Sequence, residues 1–278
     1  MRWALFTLLA GCVTPAVSLD APIHPIDGSA PSIDTIDASA CDTLALVATR
    51  WEGHPVALFV PVIHEASPAF MHLDSAAGFS ILYLPEGTPW TAGAGEARIG
   101  CEVRSLDGWG VVDPGFDPAL SVVGTLGGDW LFEAPTLLEA DRLARSAPPP
   151  PWATTPLSAR LVNDTLVVTM QVEGRERLLL LDTGAAYVVL DGEGARPGDV
   201  AAPFFDWNGD EVEAYLGSAE LELGSEVTSV PVLRTPAFIG VSSAAASTGL
   251  PITGLLGLSA FQALYVDPAA SALFLLPR

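Results

Sequence analysis

Lysine is missing from this chain of 278 residues: all twelve basic residues are arginine, set against 33 Asp+Glu for a formal net charge of −21. Without lysine there can be no P-loop lysine on a phosphate and no amine to form a Schiff base. A polyanion also repels phosphate backbones, which excludes nucleic acid as a partner. Histidine is scarce. The four present, His24, His54, His64 and His72, lack metal-ligand spacing, so no metal is expected. There is no Gly-x-Ser-x-Gly elbow of a serine hydrolase. Gly93-x-Gly95 lacks the third glycine of a dinucleotide loop. Asp206-x-Asn208-x-Asp210 has Glu211 where a calcium loop needs glycine, and reads as an acidic turn. No cofactor is expected. Long apolar runs are absent as well: no segment reaches the roughly 18 uninterrupted apolar residues of a membrane span.

What is present points to a packed β protein. Half the residues are hydrophobic and 16% are charged, enough apolar surface for a core. Gly 26 and Pro 24 make the chain turn-rich and favour short strands over long helices. The N-terminus begins with Met1-Arg2 and a short apolar run, residues 3–11, laid out as an export signal. It ends Leu9-Ala10-Gly11-Cys12, which resembles the lipobox of bacterial lipoproteins. That resemblance implies removal of residues 1–11, acylation of Cys12, and a lipid-anchored chain in a bacterial cell envelope. Residues 12–40, rich in Pro, Ser, Ala and Asp, read as a flexible tether. Cys41 and Cys101 remain. In an exported protein they suggest one disulfide, the alternative being two separate buried thiols.

The run of four prolines in residues 146–156 is a stiff spacer. It divides the folded body into halves, 41–145 and 157–278, that echo each other. In the second half, Leu166 to Val172 alternates as a strand, Glu173-Gly174-Arg175 turns, and Arg177 to Leu181 returns into Asp182-Thr183-Gly184-Ala185. In the first half, Val56 to Val60 and Phe70 to Leu73 lead into Asp74-Ser75-Ala76-Ala77. Each half then carries a glycine-rich segment, in which Gly124 matches Gly254 and Gly127 matches Gly257.

An apolar pair, Asp-Thr-Gly-Ala, and a later apolar-x-Gly-x-Leu-Gly resemble a lobe of retropepsin/pepsin-type aspartic proteases, and the first half repeats that order with Asp-Ser-Ala-Ala at the aspartate. The second half matches over nearly its whole length. The first matches at its two motifs. The resemblance implies an all-β fold of two pseudo-symmetric β-barrel lobes with a cleft between them. It implies a catalytic pair, Asp74 and Asp182, sharing one proton because two touching carboxylates cannot both ionise. By the same resemblance Ser75 and Thr183 bond across the pseudo-twofold axis, and Gly184 permits close approach of the loops. Gly124, Gly127, Gly254 and Gly257 pack behind those loops.

Ala76 departs from the family, which has glycine there, and is expected to crowd the opposing loop or to force unfavourable backbone angles. Ala77 and Ala185 stand where many acid-acting relatives carry a hydroxyl, so the pair is expected to titrate higher and to work nearer pH 5–7 than 2–3. Two stretches are flap candidates: Trp207 to Tyr215, with Tyr215 a possible contact or an ordinary strand residue, and Thr88 to Glu96. The stretch from Leu106 to Pro118 reads as long and irregular. The activity implied is hydrolysis of a peptide or protein substrate. The alternatives are a silent relative that binds peptides or an envelope partner, and a homodimer pairing Asp182 with its copy. With both motifs in one chain, a monomer is expected.

Overall fold

The computed structural model describes residues 14–15, 41–51, 54–111, 116, 120–206, 210–223 and 226–278. The leader, Cys12 and the tether lie outside the described residues, apart from the two-residue strand Thr14–Pro15. The fold is all-β, with two lobes.

Each lobe begins with a hairpin whose turn is dictated locally. Strands His54–His64 and Ser67–Leu73 join through Glu65 and Ala66, at φ 50 and 61. Strands Thr165–Val172 and Arg175–Leu181 join through Glu173 and Gly174, at φ 53 and 70. Two central residues with positive φ match the right-handed twist of the flanking strands. Side chains then alternate between two apolar faces. Leu166, Val168, Met170 and Val172 enter the large core that runs through both lobes, while Val167 faces a second cluster under helix Ile239–Thr248.

The hairpins close into barrels by the same route. In the first lobe the ring runs His54–His64, Ser67–Leu73, Val122–Leu126, Ile81–Leu84, Glu102–Gly110, Thr91–Ile99 and back to His54–His64. In the second it runs Thr165–Val172, Arg175–Leu181, Gly254–Leu256, Val188–Asp191, Glu226–Thr235, Tyr215–Leu223 and back. In both, a central strand lies parallel to the strand before the aspartate and antiparallel to the strand after it. Residues Leu106 to Gly110, expected to be irregular, are the end of a barrel strand. Register with Thr91–Ile99 and Ile81–Leu84 holds them there, and 112–115 and 117–119 lie outside the described residues.

The lobes share a sheet. Its order is Thr43–Ala45, Arg142–Arg145, Thr136–Glu139, Phe261–Asp267, Ala272–Pro277 and Leu157–Val162. The seam between lobes is the pairing of Thr136–Glu139 with Phe261–Asp267. The proline-rich spacer is tied to both sides of it. Ala147 donates its N–H to Pro135 O (3.2 Å), and its carbonyl accepts from the Tyr265 hydroxyl (3.1 Å). Cys41 and Cys101 form a disulfide with their Cα atoms 4.8 Å apart. It links the start of the shared sheet to a barrel hairpin, and a loop of this length is worth about 4 kcal/mol in the chain-entropy account.

The turn at Ala66 holds a non-glycine residue at φ 61 on an exposed corner, where the second lobe uses Gly174. Ala66→Gly should therefore stabilise the chain by about 1 kcal/mol, read as a higher urea midpoint at unchanged slope.

Candidate active site

Each aspartate sits where a core strand ends. Leu73 and Leu181 are fully buried and anchor the strands, and the chain then reverses around the carboxylate. Asp74 Oδ1 accepts the N–H groups of Ala76 (3.0 Å) and Ala77 (3.1 Å). Asp182 Oδ1 accepts those of Gly184 (2.8 Å) and Ala185 (3.1 Å). An aspartate that bonds its own downstream amides is the turn its side-chain length favours. Behind each turn the central strand takes the aspartate N–H: Asp74 to Leu126 O at 3.0 Å, Asp182 to Leu256 O at 3.1 Å.

Glycines make that crossing possible. A Cβ on Gly124 would lie 2.1 Å from Ile81 O, and one on Gly254 2.1 Å from Val189 O. At Gly127 it would meet Phe79 O at 2.4 Å, and at Gly257 Tyr187 O at 2.1 Å. No side chain fits at such distances, so the backbone threads through only where the side chain is a hydrogen.

The two loops are locked together by four hydrogen bonds across the lobes. The Ser75 hydroxyl donates to Leu181 O (2.9 Å) and accepts from the Thr183 N–H (3.0 Å). The Thr183 hydroxyl donates to Leu73 O (2.9 Å) and accepts from the Ser75 N–H (3.0 Å). Both residues are fully buried, and each hydroxyl uses its one proton and a lone pair.

This lock brings the carboxylates together: a Cβ on Gly184 would lie 2.9 Å from Asp74 Cγ and 3.1 Å from Asp182 Oδ1, and each carboxyl acts on the titration of the other. Asp74 is 2% exposed and Asp182 0%. Burial pushes Asp74 up to about 6, against the lowering effect of its amide donors and of the bond from Asp182. Asp182 is raised further above the usual carboxylate range, first by burial and then by the charge of Asp74. Neither is tied to an arginine: among the described residues no ion pair includes them. Asp182 Oδ2 is buried and takes no donor from the described residues. A pair of this kind holds one proton and one negative charge.

Ala76 is not strained: neither it nor Gly184 has a positive φ. The expectation of unfavourable backbone angles is not met, because the demand at this position is for space. Tyr215 begins the strand Tyr215–Leu223, and its hydroxyl donates to the Glu213 carboxylate, so it is held along its own strand. Of the two flap candidates, Thr88 to Glu96 runs from a turn closed by Thr88 N–H to Pro85 O (3.0 Å) into the barrel strand Thr91–Ile99. It is mostly barrel wall. In the second lobe Phe204–Phe205 and Glu211–Val212 pair as a short hairpin, with Asp206 Oδ1 accepting the Asp210 N–H at 2.9 Å. Residues 207–209 at its tip lie outside the described residues.

Sequence reasoning missed one pair of supports. Ser80 Oγ donates to Asp129 Oδ1 (2.6 Å) and accepts from Gly127 N–H (3.0 Å). In the second lobe Ser259 Oγ accepts from Val188 N–H (3.0 Å) and donates to Pro231 O (3.0 Å). A hydroxyl pins the strand after the aspartate to the segment after the glycines in both lobes, but from opposite sides. The Asp129-for-Ser259 difference was the visible signal.

No family model matches the chain, and no curated protein matches it. Among solved structures it is similar to an aspartic proteinase from Irpex lacteus, with 12% identity and a TM-score of 0.47 over 84% of this chain and 96% of that one.

Thr183→Val keeps the shape of the side chain but leaves the Ser75 N–H and the Leu73 carbonyl buried without partners. The expected loss is about 2–5 kcal/mol by chemical denaturation, with Thr183→Ser recovering most of it. Stability should also fall as the pair ionises. A carboxyl with a higher pKa folded than unfolded contributes most below about pH 4 and loses that contribution as pH rises through about 6. For Asp74 this is on the order of 3 kcal/mol. Denaturation curves between pH 4 and 7 should show the decline, and Asp74→Asn should flatten it.

Proposed function

We propose that this chain is an aspartic endopeptidase that hydrolyses peptide bonds through a water activated by the Asp74–Asp182 pair. The observation that supports this most directly is two buried carboxylates that meet around Gly184, each delivered by an equivalent loop of a separate lobe. The resemblance of the two Asp loops and their glycine segments to the aspartic protease family supports the same reading. A structural role alone would be better served by apolar residues, because burying two like carboxyls costs free energy that their amide donors offset only in part.

The chemistry needs one proton and one charge, which is what a coupled pair supplies. The ionised carboxylate takes a proton from water as the water oxygen bonds to the carbonyl carbon. The neutral carboxyl gives its proton to the carbonyl oxygen, and a tetrahedral diol results. The first carboxyl then passes its proton to the amide nitrogen, the C–N bond breaks, and a diol hydroxyl returns its proton to the second. No acyl-enzyme forms, and the pair ends as it began.

The sequence Leu9-Ala10-Gly11-Cys12 supports a lipid-anchored location in the bacterial cell envelope, with the protease acting as a monomer on peptide or protein substrates near the membrane.

Peptide-library cleavage tests the proposal. Wild type should cleave, with turnover rising as pH passes through about 6, because the pair must carry one proton and Asp74 loses its own near there. A statine-type inhibitor should stop it. Asp74→Asn and Asp182→Asn should each lower kcat by about three orders of magnitude or more. Cleavage that survives Asp182→Asn and ignores the inhibitor, or maximal turnover below pH 4, would overturn this reading.

A further inference from the structure

One described strand comes from neither half of the folded body. Thr14–Pro15 pairs antiparallel with Phe204–Phe205, Thr14 opposite Phe205 and Pro15 opposite Phe204. On its other side Phe204–Phe205 pairs with Glu211–Val212, so the N-terminal segment is the outer strand of a small three-stranded sheet separate from the barrel sheets. The hairpin that receives it is fixed to the second lobe. Phe204 is fully buried and meets Phe238 edge to face at 5.2 Å. Ala202 donates its N–H to Ala214 O at 2.9 Å, and Asp206 donates its own N–H to Asp210 O at 2.9 Å. A ribbon of two short strands leaves a row of backbone donors and acceptors open along its edge. The added strand covers that row, and Pro15, which has no N–H, suits the outermost position.

This pairing changes the reach of the N-terminus. Cys12 stands two residues before Thr14 and 29 before Cys41. A chain free as far as Cys41 would carry Cys12 about 30 Å from the body on average and about 100 Å when fully extended. Held at Thr14, the same residue stays within about 7 Å of that strand. Residues 16–40 then run between two fixed points, the paired strand and the disulfide at Cys41.

We propose that the edge of Phe204–Phe205 is a docking site for the chain's own N-terminal segment, and that it holds a lipid-bearing Cys12 beside the second lobe, so that the anchored protein lies with the hairpin Phe204–Val212 at the membrane surface rather than at the end of a long leash. The membrane part rests on the lipid-anchor reading of Cys12; the docking does not. The hairpin brings negative charge with it. Asp210, Glu211 and Glu213 are exposed, and no arginine, lysine or histidine occurs between Arg196 and Arg234. A short leash places these carboxylates within a Debye length of the headgroups, where anionic lipid repels them, so an uncharged bilayer is the probe that isolates the leash.

Hydrogen exchange reads the docking without any lipid. With Cys12→Ser, in the chain from residue 12 onward, the amides of Phe204 and Phe205 should exchange at least about tenfold more slowly than in a chain that starts at residue 20. Energy transfer reads the leash. In the acylated chain a dye is placed on Glu211→Cys, the one free thiol when Cys12 is acylated and Cys41 is bonded to Cys101, and the acceptor is a labelled lipid in phosphatidylcholine vesicles. Transfer should be high, and twenty Gly and Ser residues inserted between Cys12 and Val13 should cut it by about half or more. If the chain is instead free as far as Cys41, lengthening a leash already 29 residues long changes transfer little. Equal exchange in the two chains, or equal transfer with and without the insertion, overturns the proposal. Slowed exchange in a chain whose N-terminal peptide carries no acyl group by mass spectrometry sustains the docking and overturns the lipid-anchor reading. Neither measurement uses peptide cleavage, so failure of the protease reading leaves both results standing.

Discussion

Two carboxylates held against each other in a dry interior repel, and the fold must resist that repulsion wherever it places them. Here the resistance comes from the four hydrogen bonds of Ser75 and Thr183, which run between the lobes rather than within them. Each hydroxyl closes on a carbonyl of the opposite loop one residue before the aspartate, so the lobes cannot part without stranding buried polar groups. The repulsion itself is relieved by a proton. The pair therefore resists a second charge, and the singly charged state is the one the proposed chemistry needs.

The barrels exist to deliver this contact. In each lobe the strand that leads to the aspartate ends on a buried leucine, and a central strand lies alongside it in parallel register. That strand comes so close to the chain beyond the aspartate that only glycine is tolerated at four positions. The shared sheet, paired at Thr136–Glu139 with Phe261–Asp267, joins the lobes, and the large core continues through both of them. The small clasps at Ser80 and Ser259 pin the strand after each aspartate in different ways, one through Asp129 and one through the Pro231 carbonyl.

Charge is organised around keeping the pair isolated. Six arginines of the described residues pair with carboxylates other than Asp74 and Asp182. Arg104 and Arg145 hold Glu102 and Glu133, and the buried Arg234 meets Glu173, Glu193 and Asp199. A guanidinium near the dyad would pull both carboxyls down and remove the shared proton. Placing these cations elsewhere, in a chain with a net charge of −21, leaves burial as the dominant influence on Asp74 and Asp182.

Much of this was legible in the residues because it is local. Strand alternation has a period of two, and a turn such as Glu173-Gly174 needs positive φ, so the second hairpin could be placed within a residue or two. The repeated Asp loops and glycine segments marked a duplicated unit and named the candidate acids. Other features depend on residues far apart in the chain, and no local pattern encodes them. These include the closure of each barrel, the pairing of hydroxyls with Leu73 and Leu181 carbonyls 110 and 106 residues away, and the strand character of Leu106 to Gly110. The alanine at position 76 could be read as a departure from the sequence alone. What its methyl would meet was decided only by the packing of one lobe on the other, which buries it in a cluster of second-lobe residues, because a side chain's environment comes from the surfaces buried around it and not from its neighbours in the chain.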